Sequence, residues 1–196
     1  MNSLENLKRV VIENSTTNDW TLARNEWKVI PGVREDPHVN TTCICLHPNL
    51  RYIYTIQNVK NGNILTPIGD ICINHFNNNA MTNDANNYLA LYRLCQAIAT
   101  DQRIELTTKY FSRKLLQYLY DQGAFIPSSY NQYDPQNDYN FMIKMFNKHT
   151  PLSAAQQRKV NALIIFNIIP FASRILTTQS NNGSPIIFIA NTLSLE

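Results

Sequence analysis

The sequence contains little glycine and little charge. Five glycines occur among 196 residues, and Asp, Glu, Lys and Arg together make up 16% of the chain. The motifs G-x-x-x-x-G-K-S/T, G-x-G-x-x-G and G-x-S-x-G are all missing. The sequence therefore offers no motif for nucleotide binding or for hydrolysis by a serine nucleophile.

Long hydrophobic runs are also scarce. No segment approaches the run of about 20 apolar residues that spans a bilayer, although a hydrophobic content of 44% is enough for a core. The N-terminus, M-N-S-L-E-N-L-K-R-V-V, lacks the continuous apolar core of a signal peptide. We therefore expect a cytoplasmic protein with no membrane partner.

The charge balance is only mildly basic, with a formal net charge of +3. A dedicated duplex-DNA binder usually has a stronger basic bias or a basic stripe. Nucleic acid is thus permitted as a partner but is not required.

Cysteine is infrequent but clustered. Three of the four cysteines and two of the four histidines lie between residues 43 and 76, in the order Cys43-x-Cys45-x-His47 and then Cys72-x-x-His75. Clustered cysteines in a cytoplasmic chain favour a metal site over disulfides. The alternative is that these cysteines are ordinary buried small residues and that the histidines lie on the surface. The fourth cysteine, Cys95, lies apart on a helical stretch and is expected to be buried and uninvolved.

The residues between the two clusters predict a β-hairpin followed by a short helix. Arg51 to Gln57 and Ile64 to Ile68 have strand character, and Asn61-Gly62 between them accepts the positive φ of a tight turn. Asp70 is a plausible N-cap, which would place Cys72 on a helix. A knuckle, a hairpin and a helix with ligands at both ends form the layout of a treble-clef-type zinc site.

The candidate ligands are Cys43, Cys45, Cys72 and one histidine. His75 is preferred because residues three apart on a helix share a face. His47 is the close alternative, although Pro48 restricts the backbone just after it. Because four ligands are available, we expect a structural zinc rather than a catalytic one.

The remainder of the chain predicts an α+β protein in which a helical body follows the zinc module. We expect domains 1–80 and 81–196 that form one compact unit. The predicted elements are helices at 3–13 and 19–26, a polar hinge at 77–87, four body helices at 84–100, 107–123, 138–148 and 153–170, and a C-terminal hairpin of Ile175–Thr178 with Ile186–Ala190. The polar loop Ile126–Asp138, with two tyrosines, is either disordered or used for contacts.

The same central region resembles a family of small, mostly uncharacterised zinc-binding proteins from low-GC bacteria and their phages. The matching residues are Ala23, Glu26, Trp27, Cys43, Cys45, Asn58, Asn61, Gly62, Ile68, Gly69, Cys72, Ile73 and Phe76. Leu46 departs from the pattern, since that family usually has glycine after the second cysteine. The resemblance covers about a third of the chain and implies a zinc module in a phage or mobile-element protein that acts in the cytoplasm of a bacterial host.

Three functions are compatible with these observations. The first is a non-enzymatic protein that binds another protein. The chain also resembles zinc-containing phage proteins that inhibit the type II CRISPR nuclease Cas9, and this resemblance implies Cas9 as the partner. The second is a nucleic-acid-binding accessory protein of phage replication or transcription, with phosphate contacts from a basic set and base stacking by Tyr52 and Tyr54. That basic set comprises Lys109, Arg113, Lys114, Arg158 and Lys159. An enzyme that uses the zinc is the third, and the full set of metal ligands argues against it.

Overall fold

The computed structural model describes residues 2–177, which form two compact units. The first unit extends to Leu89 and the second begins at Ala90. The division falls inside helix α4 (Asn79–Ala99), later than the boundary after residue 80 that the composition indicated. The expected hinge at 77–87 is therefore wrong, because the helix already begins at Asn79. Asn78 accepts a hydrogen bond from the Met81 amide at 3.2 Å and so starts the helix, despite the many polar residues that follow.

The first unit is a small antiparallel sheet with helices before and after it. Its elements are α1 (Ser3–Glu13), α2 (Trp20–Ala23), β1 (Trp27–Val29), β2 (Arg34–Glu35), β3 (Tyr52–Asn58), β4 (Ile64–Ile68) and α3 (Asp70–Asn74), with a 3₁₀ turn at Arg24–Glu26. The predicted first helix and both strands of the hairpin are confirmed. Asp19 also caps α2 as expected, since its carboxylate accepts from the Leu22 amide at 2.9 Å.

Strand β3 is the centre of the sheet and pairs with all three other strands. Val29 lies opposite Ile56, Arg34 lies opposite Ile53, and Ile68 of β4 lies opposite Tyr54. The β3–β4 connection contains Gly62 at φ +80°, a left-handed conformation that glycine adopts without a steric penalty. This turn is where the Asn61-Gly62 pair predicted it.

The core of the first unit lies against the sheet. Tyr54, Ile56, Ile68, Ile73 and Phe76 are each at most 1% exposed. Their burial couples β3 and β4 to the short helix α3. It thereby fixes where α3 begins relative to the hairpin.

The second unit is helical in its described part. After α4 come α5 (Arg113–Asp121), a 3₁₀ turn at Ser129–Asn131, α6 (Pro135–Phe146), α7 (Ala154–Leu163), a π-helical turn at Ile164–Ile168 and α8 (Ile169–Thr177). The predicted stop at Gly123 is confirmed, with φ +73° just after the end of α5. The predicted capping box is also present, because Ser153 and Gln156 exchange side-chain to backbone hydrogen bonds.

Two expectations about the end of the chain are wrong within the described residues. The helix that begins after Ser153 does not stop at Pro170, and Ile175 to Thr177 belong to α8 rather than to a strand. Proline has no amide hydrogen, so a regular α-helix would lose a hydrogen bond at Pro170. The wider π turn just before α8 accommodates that loss. The second predicted strand, Ile186–Ala190, lies outside the described residues.

The continuous helical run Ala154–Leu176 is more apolar than we expected from the sequence. It is 23 residues long, with a mean hydropathy of 1.4 in its most apolar window, and 39% of that window is buried. By length and composition alone it meets the requirement for crossing a membrane. The core helix of a folded domain meets the same requirement.

Candidate metal centre

The chain forms a tight knuckle around the first two cysteines. The Leu46 amide donates to the Cys43 carbonyl at 2.8 Å, and the Cys43 amide donates to the His47 carbonyl at 2.8 Å. A third bond, from Ile44 to the Pro67 carbonyl at 2.9 Å, attaches this knuckle to the end of β4. These bonds hold the side chains of Cys43 and Cys45 next to the start of α3.

The third cysteine comes from α3, and the start of that helix differs from the prediction. Gly69, not Asp70, is the N-cap, and no side chain caps the helix there. Gly69 lies close to the Leu50 side chain, because a Cβ at this position would be 2.8 Å from Leu50 Cδ2 and the leucine would have to shift. Cys72 lies in the first turn of α3, and its sulfur is in contact with that of Cys43 in the knuckle.

The three cysteine sulfurs lie at distances that suit a shared metal ion. All three Sγ atoms lie within 4.8 Å of one another, and Cys43 Sγ is 3.5 Å from Cys72 Sγ. A tetrahedral zinc with Zn–S bonds of about 2.3 Å separates two sulfurs by about 3.8 Å, whereas a disulfide requires about 2.05 Å. The cysteines are free thiols. The donor set and its spacing therefore fit a shared metal ion better than a disulfide.

The cluster is buried and already contains donors directed at sulfur. Cys43, Cys45 and Cys72 are 2%, 1% and 6% exposed. The hydrogen bond between the Cys43 and Cys72 sulfurs and the backbone N–H groups of Cys45 and Gly69 lower the pKa of Cys43 to about 5, against the effect of burial. The His47 amide donates to Cys45 in the same way. Such N–H groups stabilise thiolates, the form in which cysteine binds zinc.

The other two thiols keep their protons more tightly. Burial raises the pKa of Cys45. The hydrogen bond with the Cys43 sulfur and burial together raise the pKa of Cys72. A divalent cation at the centre would reverse both effects, because it favours the thiolate over the thiol.

The structure does not bring a histidine into the sulfur cluster. Among the described residues, the group of mutually close ligand atoms comprises Cys43, Cys45 and Cys72 alone. His47 and His75 are both exposed and line a cleft of about 320 Å³ that adjoins the three cysteines. His75 is the C-cap of α3 rather than part of its first turn. The identity of the fourth ligand stays a prediction.

Asp36 is a structural residue of this region that the sequence reasoning missed. Its carboxylate accepts hydrogen bonds from the amides of His38, Asn40 and Thr41 and from the Thr41 hydroxyl at 2.7 to 3.0 Å. The Thr41 hydroxyl and these amides, opposed by burial, lower the pKa of Asp36 to about 2. Asp36 therefore orders the segment that leads into Cys43. An Asp followed by polar residues and preceding Pro37 is the turn signal that could have revealed it.

Several other candidate residues have structural partners instead. Tyr54 is 1% exposed and cannot stack on a base. In the second unit, Lys159 forms an ion pair with Asp138 at 2.9 Å, and the Arg113 guanidinium donates to Asn147 at 2.8 Å. Cys95 is buried, as expected, with its sulfur 3.9 Å from Ser173 Oγ.

Comparison of the chain with protein-family models, with curated proteins and with solved structures found no match.

Proposed function

We propose that the first unit is a treble-clef-like module held together by a structural zinc ion. Cys43, Cys45 and Cys72 supply three thiolates, and His75 supplies the fourth ligand, with His47 as the alternative. The observation that carries this proposal is the close approach of three buried, unbridged sulfurs from two separate parts of the chain. The zinc supplies a cross-link between the knuckle and α3.

We propose further that the protein acts by binding another protein and not by catalysis. The sulfurs are at most 6% exposed, and burial of this kind is typical of structural zinc rather than of zinc that activates a substrate. The phage setting and Cas9 as the partner rest on the resemblance of the segment from Ala23 to Phe76. In this proposal the chain inhibits Cas9 in the cytoplasm of a bacterial host.

We favour protein binding over nucleic-acid binding because several residues expected to contact nucleic acid are buried or have partners within the chain. Lys159 neutralises a buried carboxylate, Arg113 is tied to Asn147, and Tyr54 is in the core. Phosphate recognition needs cations that can approach the backbone of the nucleic acid. Lys109, Lys114 and Arg158 are exposed, yet three such residues make a small electrostatic footprint.

The zinc proposal is tested by elemental analysis of the purified chain and of three matched cysteine variants. We expect about one zinc per chain in the wild type and in Cys95→Ala, since Cys95 is buried but lies far from the cluster in sequence and belongs to the second unit. Cys45→Ala and Cys72→Ala should lose zinc and unfold or aggregate, because binding free energy is folding free energy in small metal modules. Zinc-free Cys45→Ala protein that is as soluble and stable as the wild type would refute the proposal.

The fourth ligand is identified by replacing zinc with Co²⁺ in His75→Ala and His47→Ala. Loss of a histidine ligand changes the visible absorption of tetrahedral Co²⁺, whereas loss of a bystander leaves it unchanged. The inhibitor proposal is tested separately, by adding the zinc-loaded chain to purified Cas9 with guide RNA and measuring DNA cleavage. Undiminished cleavage would remove Cas9 as the partner and leave the zinc module unaffected.

A further inference from the structure

The loop between α5 and α6 is built around a buried polar residue. Asn131 is 1% exposed. Its side-chain oxygen accepts from the Ser128 amide, and its side-chain nitrogen donates to the Ile126 carbonyl and to the Asp138 carboxylate, each at 2.8 Å. Asp138 is 3% exposed and is paired in turn with Lys159. The loop is thus tied to α6 and α7 and is ordered, which removes disorder as an explanation for its polar sequence.

This ordered loop exposes two large aromatic side chains. Tyr130 is 91% exposed and Tyr133 is 73% exposed. Within the part of the chain that the structure describes, no side-chain hydrogen bond or ring contact engages either tyrosine, although the Tyr133 backbone amide donates to the Ser128 carbonyl. The nearby Tyr120 and Tyr139 differ, since their rings stack at 4.9 Å and both hydroxyls are hydrogen-bonded inside the unit.

The backbone beneath the exposed tyrosines is strained. Gln132 and Tyr133 are consecutive residues at φ +59°, a left-handed conformation that is costly for residues other than glycine. For a bulky residue such as tyrosine the cost is not offset by burial, because the side chain lies in solvent. Strain and exposure at one residue are the combination expected where a side chain is displayed for binding.

The charge of the loop limits what it can bind. The sequence from Leu115 to Ile143 contains no lysine or arginine, and the loop itself carries Asp134. The stretch itself offers phosphate groups no cation, and Lys159, which reaches Asp138 from α7, is already paired with that carboxylate, so nucleic acid and anionic lipid fit poorly. Rigid, exposed tyrosines without surrounding cations suit a neutral or basic protein surface.

We infer that Tyr130 and Tyr133, held by Asn131, form the surface through which this chain contacts a partner protein of neutral or basic character. The inference rests on the proposed protein-binding function and names the surface that performs it. It places the contact in the second unit and leaves the zinc module as a stabilising element of the first.

The test compares three immobilised, zinc-loaded chains: wild type, Tyr130→Ser/Tyr133→Ser, and Phe166→Ser. Phe166 is the matched control, because it is an aromatic residue of the same unit that is 65% exposed and lies outside the loop. The probes are purified Cas9 and a clarified lysate of a low-GC bacterium, and the retained proteins are identified and quantified. We expect the wild type and Phe166→Ser to retain the same protein, and the double variant to retain about tenfold less or none.

Three results would overturn the inference. Equal retention by all three chains would show that the partner uses another surface, and protein binding would stand. If the wild type retains no protein, the proposed protein-binding function is refuted, and so is the role of the loop. Binding of a labelled single-stranded oligonucleotide that is lost in the double variant would make the tyrosines a stacking platform for nucleic acid instead.

A second variant separates a binding role from a structural one. Tyr133→Gly relieves the left-handed strain, so we expect an unchanged or higher melting temperature together with loss of retained partner. A tyrosine kept for stability would give the opposite result, a lower melting temperature with retention unchanged.

Discussion

Leu46 combines two unfavourable features at a single position in the knuckle around Cys43 and Cys45. It has φ +70°, and its apolar side chain is 66% exposed. Glycine would adopt this conformation without a steric penalty, because it has no Cβ. Leucine therefore carries a steric cost at this turn of the knuckle that glycine would not carry.

Replacing Leu46 by glycine should therefore stabilise the protein. We expect Leu46→Gly to raise the free energy of unfolding by about 1 kcal/mol, with the zinc content unchanged. Urea unfolding of both proteins measures the difference. Asn49→Gly is the matched control, because Asn49 has φ +65° in the same segment but asparagine tolerates this conformation, and its gain should be smaller. A less stable Leu46→Gly protein would show that the leucine side chain contributes packing.

At the scale of secondary-structure elements, a buried carboxylate joins the parts of the first unit that the sheet does not connect. Glu26 is 1% exposed and follows α2. It accepts hydrogen bonds from the amide and hydroxyl of Thr16 and from the Asn58 side chain, and Lys60 lies 3.3 Å away. The carboxylate thus ties the segment after α1 to the end of β3.

This hydrogen-bond network predicts that the stability of the fold decreases at low pH. Burial alone would raise the pKa of Glu26, but the hydrogen bonds from Thr16 and Asn58 and the contact with Lys60 outweigh it and lower the pKa from 4.5 to about 2. A carboxyl group whose pKa is lower in the folded state than in the unfolded state stabilises the fold at pH values above its unfolded pKa. For Glu26 that stabilisation is lost as the pH falls from about 4.5 towards 2. We expect urea midpoints to fall over this range.

Glu26→Gln should be less stable than the wild type at neutral pH and should lose less stability between pH 4.5 and 2. Asp36→Asn serves as an independent comparison, because the pKa of Asp36 is also lowered to about 2 by a separate set of donors. Its effect should add to that of Glu26→Gln. Parallel pH profiles for the wild type and Glu26→Gln would contradict the role of this carboxylate.

On the scale of the whole molecule, the three-cysteine cluster and the loop that carries Tyr130 and Tyr133 belong to different compact units. The three cysteines lie before Leu89, and the loop lies after Ala90. Each unit has its own buried residues, such as Ile56 and Phe76 in the first and Leu116 and Met142 in the second. Loss of a bound metal should therefore destabilise mainly the first unit.

Hydrogen exchange after treatment with a zinc chelator tests this separation. We expect backbone amides from β1 through α3 to exchange about tenfold faster or more, because the cross-link between knuckle and α3 is lost. Amides of α5, α6 and α7 should keep their protection. A uniform loss of protection along the chain would show that the two units unfold together.

The elements with strong local signals were predictable from the sequence. The hairpin turn was found because Gly62 accepts a positive φ, and α7 because Ser153 and Gln156 form a capping box. The prediction of a hinge at 77–87 is wrong for a local reason. The capping residue Asn78 starts a helix there although most of the following residues are polar. The prediction that a helix ends at Pro170 is wrong because a π turn accommodates the hydrogen bond that proline cannot make. The pattern of apolar residues in the sequence does not indicate such a turn.

By itself, the sequence determined which residues can bind a metal and where the strands and most helices lie, because cysteine chemistry, glycine conformation and apolar periodicity are properties of short segments. The tertiary structure was needed to show that Cys43, Cys45 and Cys72 meet and that His47 and His75 line the cleft beside them. It also decided that Asn131 and Asp138 are buried while Tyr130 and Tyr133 are exposed. These outcomes depend on contacts between residues far apart in the chain, such as the approach of Gly69 to Leu50 and the pairing of Asp138 with Lys159. Close packing of that kind selects one arrangement among several that local preference allows.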